Sequence, residues 1–403
     1  MKTLNLISSI NGKVDLHLLL LFMFLFLGLF GDVFVAFIPS LINSNVGFGI
    51  NLFLRGFCIL PIIFMTLKHY SNAKIHVLMG VMLSIFVISY FIHYFLSNHD
   101  RRDLNKFLIS FMWCIKTFVY VFFLLFLKNV KNQQSVTKVI IAFILIYVFF
   151  QFIGAIFGID QLRSYDSGYR AGYKGVLFAQ NEASVYFFFG GLILNHKPKK
   201  NKLLDYFLLM VSVFSLILTG TKTAIIMVPI LVFYFFYIRK GLKKSIFLVL
   251  IAIIIIFLLI LFLYYKSPFF NSAIDLSIRY FKHKANERGM GFLYVLTSSR
   301  SAVCIDAFSW GWQNMPASLF WGGVPIAYKF VEMDVFDQIF VFGIPATVIY
   351  YLLVFNYWGK KSKISFFSFI IIALFAGHAV SSIVSAPFVA WAFLNNSKKT
   401  VCE

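Results

Sequence analysis

Charge is scarce in this chain, and negative charge is scarcest. Only 13% of its 403 residues are charged, with 36 Lys and Arg against 15 Asp and Glu. Soluble domains carry about 25% charged residues, so an ordinary water-facing surface is excluded. Cysteine is nearly absent as well. Of Cys58, Cys114, Cys304 and Cys402, only Cys304 falls in a segment read below as external, which excludes an external disulfide framework within one chain. No external segment holds His and Cys at metal-binding spacing, and His283, alone in the long late loop, stands between two lysines. Internal repeats, low-complexity tracts and polar stretches long enough for a soluble domain are missing too.

Apolar residues fill the chain instead: 61% are hydrophobic and 20% aromatic. Leu16 to Ile38, Ile75 to Leu96, Val139 to Gly158 and Ser245 to Tyr264 each hold about twenty mostly apolar residues, enough for a helix to cross roughly 30 Å of hydrocarbon. The expected fold is therefore an all-α polytopic integral membrane protein, a single membrane domain over 1–403. The net charge of +21 invites a nucleic-acid reading, since basic chains bind phosphate backbones. Position argues otherwise. The cations cluster in short gaps between apolar runs, at Lys128, Lys131 and Lys138, at Lys197, Lys199, Lys200 and Lys202, at Arg239, Lys240, Lys243 and Lys244, and at Lys360, Lys361 and Lys363. That is the positive-inside pattern, which puts these gaps in the cytoplasm and leaves no nucleic acid among the expected partners. Lys2 and Lys13 precede the first run and no small-residue cleavage pattern follows it, so a retained signal anchor with a cytoplasmic N-terminus is expected.

Alternation from that N-terminus predicts about 11–12 spans, at 16–38, 47–67, 75–96, 107–127, 139–158, 176–195, 203–219, 223–238, 245–264, 337–357, 364–380 and 381–394. Outside lie two short segments at 39–46 and 97–106, a loop at 159–175, and one large late loop at 265–336 containing short helices.

A single lysine interrupts the apolar stretch SLILTGTKTAIIMVPIL that starts at Ser215. From Leu203 to Ile238 the run is about 36 residues, or about 54 Å of helix, too long for one crossing. Two helices are required. Both flanks are basic, so the turn Gly220-Thr221-Lys222-Thr223 falls at the outer face, where Thr221 can cap the second helix and its first N–H groups can converge with Lys222 on an anion. A lysine near a helix end can equally snorkel to the membrane boundary.

Its surroundings add weight. The loop and helix start SYDSGYRAGYKGVLFAQNEASVYFF set Arg170, Gly172, Lys174 and Gly175 ahead of a span whose first turns hold Gln180, Asn181 and Glu182. Such groups are costly in lipid and point to a wet cavity, the alternative being a solvated loop with a polar helix start. In the late loop, Thr297, Ser298 and Ser299 signal a helix start just before Arg300, a second plausible anion site. After Gly322 and Gly323 come Glu332, Asp334 and Asp337, which are functional or simply an acidic outer flank. Trp310, Trp312 and Trp321 suit an interfacial aromatic belt, with sugar stacking as a compatible use.

An Arg170-x-Gly172 loop leading to Gln180-Asn181-Glu182, then Leu218 to Ala224 (LTGTKTA), then a large late loop with Thr297-Ser298-Ser299-Arg300 and Gly322-Gly323 resembles the O-antigen polymerase and ligase superfamily, the Wzy-type polymerases and their lipid A core ligase relatives. The resemblance covers Tyr169 to Leu353; the earlier spans add only hydropathy. It implies a membrane glycosyltransferase that polymerises oligosaccharide repeat units carried on undecaprenyl pyrophosphate, at the outer face of the bacterial cytoplasmic membrane, into O-antigen, capsule or exopolysaccharide. It implies no nucleotide sugar, metal or other cofactor, and partners such as a chain-length regulator and a flippase in the same membrane. The late-loop histidine of the ligases has no counterpart, Glu332 and Asp334 standing near that place, which favours polymerase with ligase as the alternative.

Transfer displaces a lipid pyrophosphate from an anomeric carbon and, if direct, inverts it. It needs cations on the leaving group and a base on the acceptor hydroxyl. Arg170 and Arg300 are expected to grip phosphate with two prongs, Lys222 to act as a point charge, and Glu332 or Asp334 to serve as base. Thr221, Asn181, Lys174 and Gly172 are expected to line the substrate. A rival reading is a flippase or other transporter, favoured by the intramembrane cations Arg55 and Lys116 unless both snorkel. The topology is testable in a variant without native cysteines: a cysteine placed at Lys174 or Asn286 is expected to react with a membrane-impermeant maleimide in intact cells, and one at Lys200 or Lys243 is not. Labelling at Lys200 would overturn the arrangement.

Overall fold

The computed structural model describes residues 15–37, 44–69, 73–96, 104–165, 171–286, 294, 297, 299–314, 317–324, 326, 331–377 and 379–396. No strand forms among them, and the only sheet-like pairing is an isolated bridge between Arg163 and Tyr173. Six helical stretches are long and apolar enough to cross a membrane: Leu16–Phe37, Lys74–Ile92, Phe107–Lys128, Gln133–Phe157, Lys222–Lys240 and Leu242–Lys266. Shorter apolar helices follow at Ile344–Tyr357, Lys363–Phe375 and Ala386–Asn395. The chain is an all-α, multi-pass membrane protein.

In order the helices are α1 (Leu16–Phe37), α2 (Ser44–His69), α3 (Ala73–Leu96), α4 (Leu104–Thr117), α5 (Val119–Lys128), α6 (Gln133–Phe157), α7 (Gln180–Leu194), α8 (Lys202–Leu218), α9 (Lys222–Lys240), α10 (Leu242–Lys266) and α11 (Pro268–Asn286). Then come α12 (Arg300–Asn314), α13 (Ser318–Trp321), α14 (Asp334–Phe342), α15 (Ile344–Tyr357), α16 (Lys363–Phe375) and α17 (Ala386–Asn396). Helices apolar on every side belong in the interior or in lipid, and both fates occur. Val119 to Leu127 of α5 and Asn181 to Leu194 of α7 are buried throughout, forming the centre of the bundle. Helix α10, equally apolar, has none of its hydrophobic window buried and packs against α9 and α11, so its fate is lipid.

Two expected crossings contain a break, and the last two are short. The 107–127 span turns at Phe118, because the Thr117 carbonyl is taken by the Tyr350 hydroxyl at 3.1 Å while the Thr117 hydroxyl bonds back to the Trp113 carbonyl, an arrangement that bends helices. The 337–357 span divides into α14 and α15 at Gly343, whose φ of 82° no helix accommodates. The last two expected spans are short helices joined by a non-helical stretch at 376–385. They form a hairpin, since Phe366 and Phe369 near the start of α16 meet Phe393 near the end of α17 at 6.4 and 6.0 Å between ring centroids. At roughly 1.5 Å per residue α16 is about 20 Å long and α17 about 16 Å, less than the hydrocarbon they would cross. The turn between them is therefore set deep in the bundle, with Ala379, Val380, Ser382 and Ser385 all buried.

The lysine-rich gaps gather at one end. There Asp205 at the start of α8 accepts from Arg239 near the end of α9 at 3.1 Å and from the Lys199 N–H at 2.9 Å. Arg239 also donates to the Asn195 carbonyl that closes α7, and stacks on Phe235 with its guanidinium 3.7 Å from the ring centroid. Residues 379–385, 219–221 and 331–334 lie together at the other end, joined through Ser382–Glu182, Thr221–Ser184 and Asp334–Val380.

Arg55 does not snorkel. Its Nη2 donates to Asp32 Oδ2 at 2.5 Å, with the two side chains 8% and 0% exposed, and the Tyr147 hydroxyl donates to the same oxygen at 2.6 Å. Gly28 leaves the room, since a Cβ there would meet Arg55 Nε at 3.2 Å. Removing one member of a buried pair strands the other charge. Asp32→Leu is expected to destabilise the protein by about 3–5 kcal/mol, while Asp32→Leu with Arg55→Leu recovers most of that loss. Thermal unfolding in detergent checks both variants.

Candidate functional site

The turn after α8 is built as its sequence suggests. Thr221 caps α9, its Oγ1 accepting from the Ala224 N–H at 3.1 Å, and Lys222 is the first helical residue, half-buried at the end opposite the lysine-rich gaps. The Thr221 hydroxyl is shared with Ser184 of α7 at 2.5 Å, so the starts of α7 and α9 are stitched together.

The Arg-x-Gly loop packs onto this turn. Tyr173 N–H donates to the Leu218 carbonyl at 2.5 Å, and the Ser164 N–H donates to the Gly172 carbonyl at 2.9 Å. Backbone meets backbone so closely that side chains are excluded: a Cβ on Gly172 would lie 2.6 Å from the Thr219 carbonyl oxygen, and one on Gly220, which has φ of 68°, 2.2 Å from that of Ala171. Gln151 of α6, fully buried, fixes the loop by donating to the Tyr173 carbonyl at 2.7 Å and to the Ser215 carbonyl at 2.9 Å. Arg170 lies outside the described residues, though its neighbour Ala171 touches Gly220. Lys174 turns its ammonium to the Phe178 carbonyl at 2.6 Å, and Asn181 is buried in the first turn of α7.

In the late loop, Thr297 accepts from the Ser301 N–H at 3.0 Å and Arg300 opens α12, as the Thr-Ser-Ser-Arg signal predicts; Ser298 is outside the described residues. Arg300 donates through Nε at 3.3 Å and Nη2 at 2.8 Å to Glu332 Oε2. Glu332 is 48% exposed, so this pair is worth only about 0–1 kcal/mol and a phosphate can compete for it. A small core of Cys304, Ala307, Val324, Val331, Met333 and Phe340 holds α12 against α14, with Trp310 packed on it; Trp312 and Trp321 are exposed. Burial, and then the Asp337 carboxylate, push the Cys304 thiol up to about 11, so it is no nucleophile at neutral pH.

Asp334 does a different job from the one its sequence position suggested. Its Oδ2 accepts from the Ala379 N–H at 2.6 Å and the Val380 N–H at 2.8 Å, satisfying the non-helical turn between α16 and α17, and it is only 1% exposed. A carboxylate committed to two backbone donors and sealed from solvent cannot take a proton from an acceptor sugar. Glu182, by contrast, enters the site. It accepts from the Ser382 hydroxyl at 2.6 Å and lies within electrostatic reach of Arg55 and Lys116.

A continuous string of contacts thus joins these groups. Gly172 touches the Thr219–Gly220 turn, Thr221 binds Ser184 on α7, Glu182 two residues earlier binds Ser382, and the Ser382 segment touches Glu332, whose carbonyl would lie 2.9 Å from a Cβ on Gly377. Comparison with known protein families, curated proteins and solved structures gives no match.

The close approach at Gly220 has a built-in control. Gly158, at the end of α6, has nearly the same φ of 65° but open space around it. Gly158→Ala is expected to cost about 1–2 kcal/mol for the left-handed backbone alone, whereas Gly220→Ala adds a clash with the Ala171 carbonyl and loosens loop 171–175. Limited proteolysis of that loop and thermal unfolding distinguish the two variants.

Proposed function

We propose that this chain is a membrane glycosyltransferase that polymerises oligosaccharide repeat units carried on undecaprenyl pyrophosphate, at the outer face of a bacterial cytoplasmic membrane. The observation that carries the reading is the meeting of loop 171–175 with the Thr221-capped start of α9, which sets Lys222 at a helix N-terminus on the end remote from the lysine-rich gaps. Positive-inside bias makes that end external. A helix start plus a cation favours phosphate, and the family resemblance supplies the carrier lipid. In this reading Lys222, Arg300 and Arg170 hold the pyrophosphate, while Glu332 keeps Arg300 aimed until the phosphate replaces it. Thr221, Asn181, Lys174 and Gly172 shape the wall of the site. As the bond to the anomeric carbon breaks, negative charge grows on the leaving group in a place of reduced dielectric, where fixed cations stabilise it most.

A second reading, a transporter of the same lipid-linked units, is favoured by the buried Asp32–Arg55 pair, because ionised groups inside a bundle commonly mark translocation paths. A deletion strain separates the two, and the ligase alternative as well. Loss of a polymerase leaves single repeat units on the surface, loss of a ligase leaves long lipid-linked chains, and loss of a flippase leaves units on the cytoplasmic face.

For the polymerase, Lys222→Gln at unchanged abundance is expected to collapse surface glycan to single units, the lost phosphate contact costing about 2–5 kcal/mol, with partial rescue by Lys222→Arg. Arg300→Lys is expected to fail nearly as badly as Arg300→Ala, since an ammonium cannot reproduce a planar two-pronged grip. Gel profiles of surface glycan read both results, and normal chain lengths in Lys222→Gln would return Lys222 to a boundary marker.

A further inference from the structure

The transfer reaction needs a base, and the structure narrows the choice. Three acidic side chains stand near the proposed pyrophosphate site besides Glu182. Asp334 is committed to two backbone N–H groups. Asp337 is fully buried and accepts from the Val331 N–H at 2.8 Å. Glu332 holds Arg300. Glu182 differs in what fixes it: Oε1 accepts from a neutral hydroxyl, that of Ser382, and among the described residues no hydrogen bond engages Oε2, whereas the free Oδ2 of Asp337 is sealed from solvent and Glu332 is spent on an ion pair.

Its position is suited to the task. Glu182 and Ser184 are two residues apart in the first turn of α7, so they point to nearly opposite faces of that helix. Ser184 faces Thr221 and the start of α9; Glu182 binds Ser382 and lies within electrostatic reach of the buried Arg55 of α2 and the half-buried Lys116 of α4. A helix with its side chains is about 10–12 Å across. Thr221, which Lys222 follows, and Glu182 therefore lie on different faces of the start of α7. In-line displacement needs that geometry, with leaving-group cations on one side of the reacting carbon and the base on the other.

A buried carboxylate also needs positive charge nearby. Here Arg55 and Lys116 supply it, and Arg55 is itself held by Asp32, which Tyr147 holds in turn.

Resting on the glycosyltransferase reading above, we infer that Glu182 is the general base of the transfer and that Ser382 is the positioning residue that aims it. Glu182 Oε2 takes the proton of the acceptor hydroxyl as that oxygen forms its bond to the anomeric carbon. The bond from that carbon to the pyrophosphate oxygen breaks, its electron pair leaving with the lipid pyrophosphate toward Lys222 and Arg300. The proton then passes from Glu182 to water.

The test uses the purified full-length protein in detergent, with a lipid extract of the deletion strain, which carries the unpolymerised lipid-linked units, as the substrate source. Undecaprenyl pyrophosphate serves as the binding probe. Glu182→Gln is expected to bind the probe as the native protein does, while chain formation falls about 10²–10⁴-fold, the usual contribution of a general base. Lys222→Gln is expected to lose probe binding instead. Ser382→Ala is expected to slow chain formation about tenfold with probe binding intact, and Glu182→Asp to retain more activity than Glu182→Gln. If Glu182→Gln does not accumulate, the decision passes to Glu182→Asp and Ser382→Ala, and full activity in both overturns the assignment. Chain formation within a few-fold of native in Glu182→Gln overturns the base while leaving the polymerase reading intact, provided Lys222→Gln still abolishes binding. Undiminished activity in Lys222→Gln and Arg300→Ala, with no surface-glycan defect in the deletion strain, overturns the reading itself.

Discussion

Inside a bilayer a polar group that loses water has only the protein to turn to, and this constraint organises the molecule. Where the chain bends, another segment fills the gap: Tyr350 takes the freed carbonyl of Thr117, Gln151 reaches two carbonyls on two different segments, and Asp334 receives the N–H groups that the α16–α17 turn leaves without helical partners. Each is a long-range tie. The ties let a low-dielectric bundle hold such breaks open. The capped start of α9, the buried turn at 376–385 and the polar first turn of α7 are parts of one such construction.

Much of this was legible from residue order alone. Thr221 as a cap and Lys222 as a first helical residue follow from a Thr-Gly-Thr-Lys-Thr punctuation in a run too long for one crossing, which is local information. The start of α12 at Arg300 follows from Thr297 in the same way. Asp32 was invisible as a partner for Arg55, since one acid in an apolar helix says nothing about which cation, 23 residues on, will turn toward it. Ser382 and Glu182 lie 200 residues apart, and nothing local links them. Asp334 misled because sequence gives the presence of a carboxylate but not its commitments. Two apparent single spans proved broken, since hydropathy averages over a turn at Phe118 or Gly343 without registering it. The pairing of loop 171–175 with turn 219–221 required both Gly172 and Gly220 to lack a side chain, a reason for two glycines that becomes visible only when the backbones are seen to touch.

The first four helices, which by sequence contributed little beyond hydropathy, are electrically part of the site. Asp32, Arg55 and Lys116 come from α1, α2 and α4, and the last two lie within electrostatic reach of Glu182 of α7.

Helix α10 carries a different implication. Its 25 residues span about 38 Å if straight, against about 30 Å of hydrocarbon. Its flanks face lipid except where it rests on α9 and α11. A helix longer than its bilayer relieves the mismatch by tilting, and α10 is continuous with the late loop at one end and, through Gly241, with α9 at the other. Bilayer thickness therefore sets the lean of this strut, whereas the helix that Arg300 opens is tied separately, by its core and by Glu332, to the residues around the start of α14.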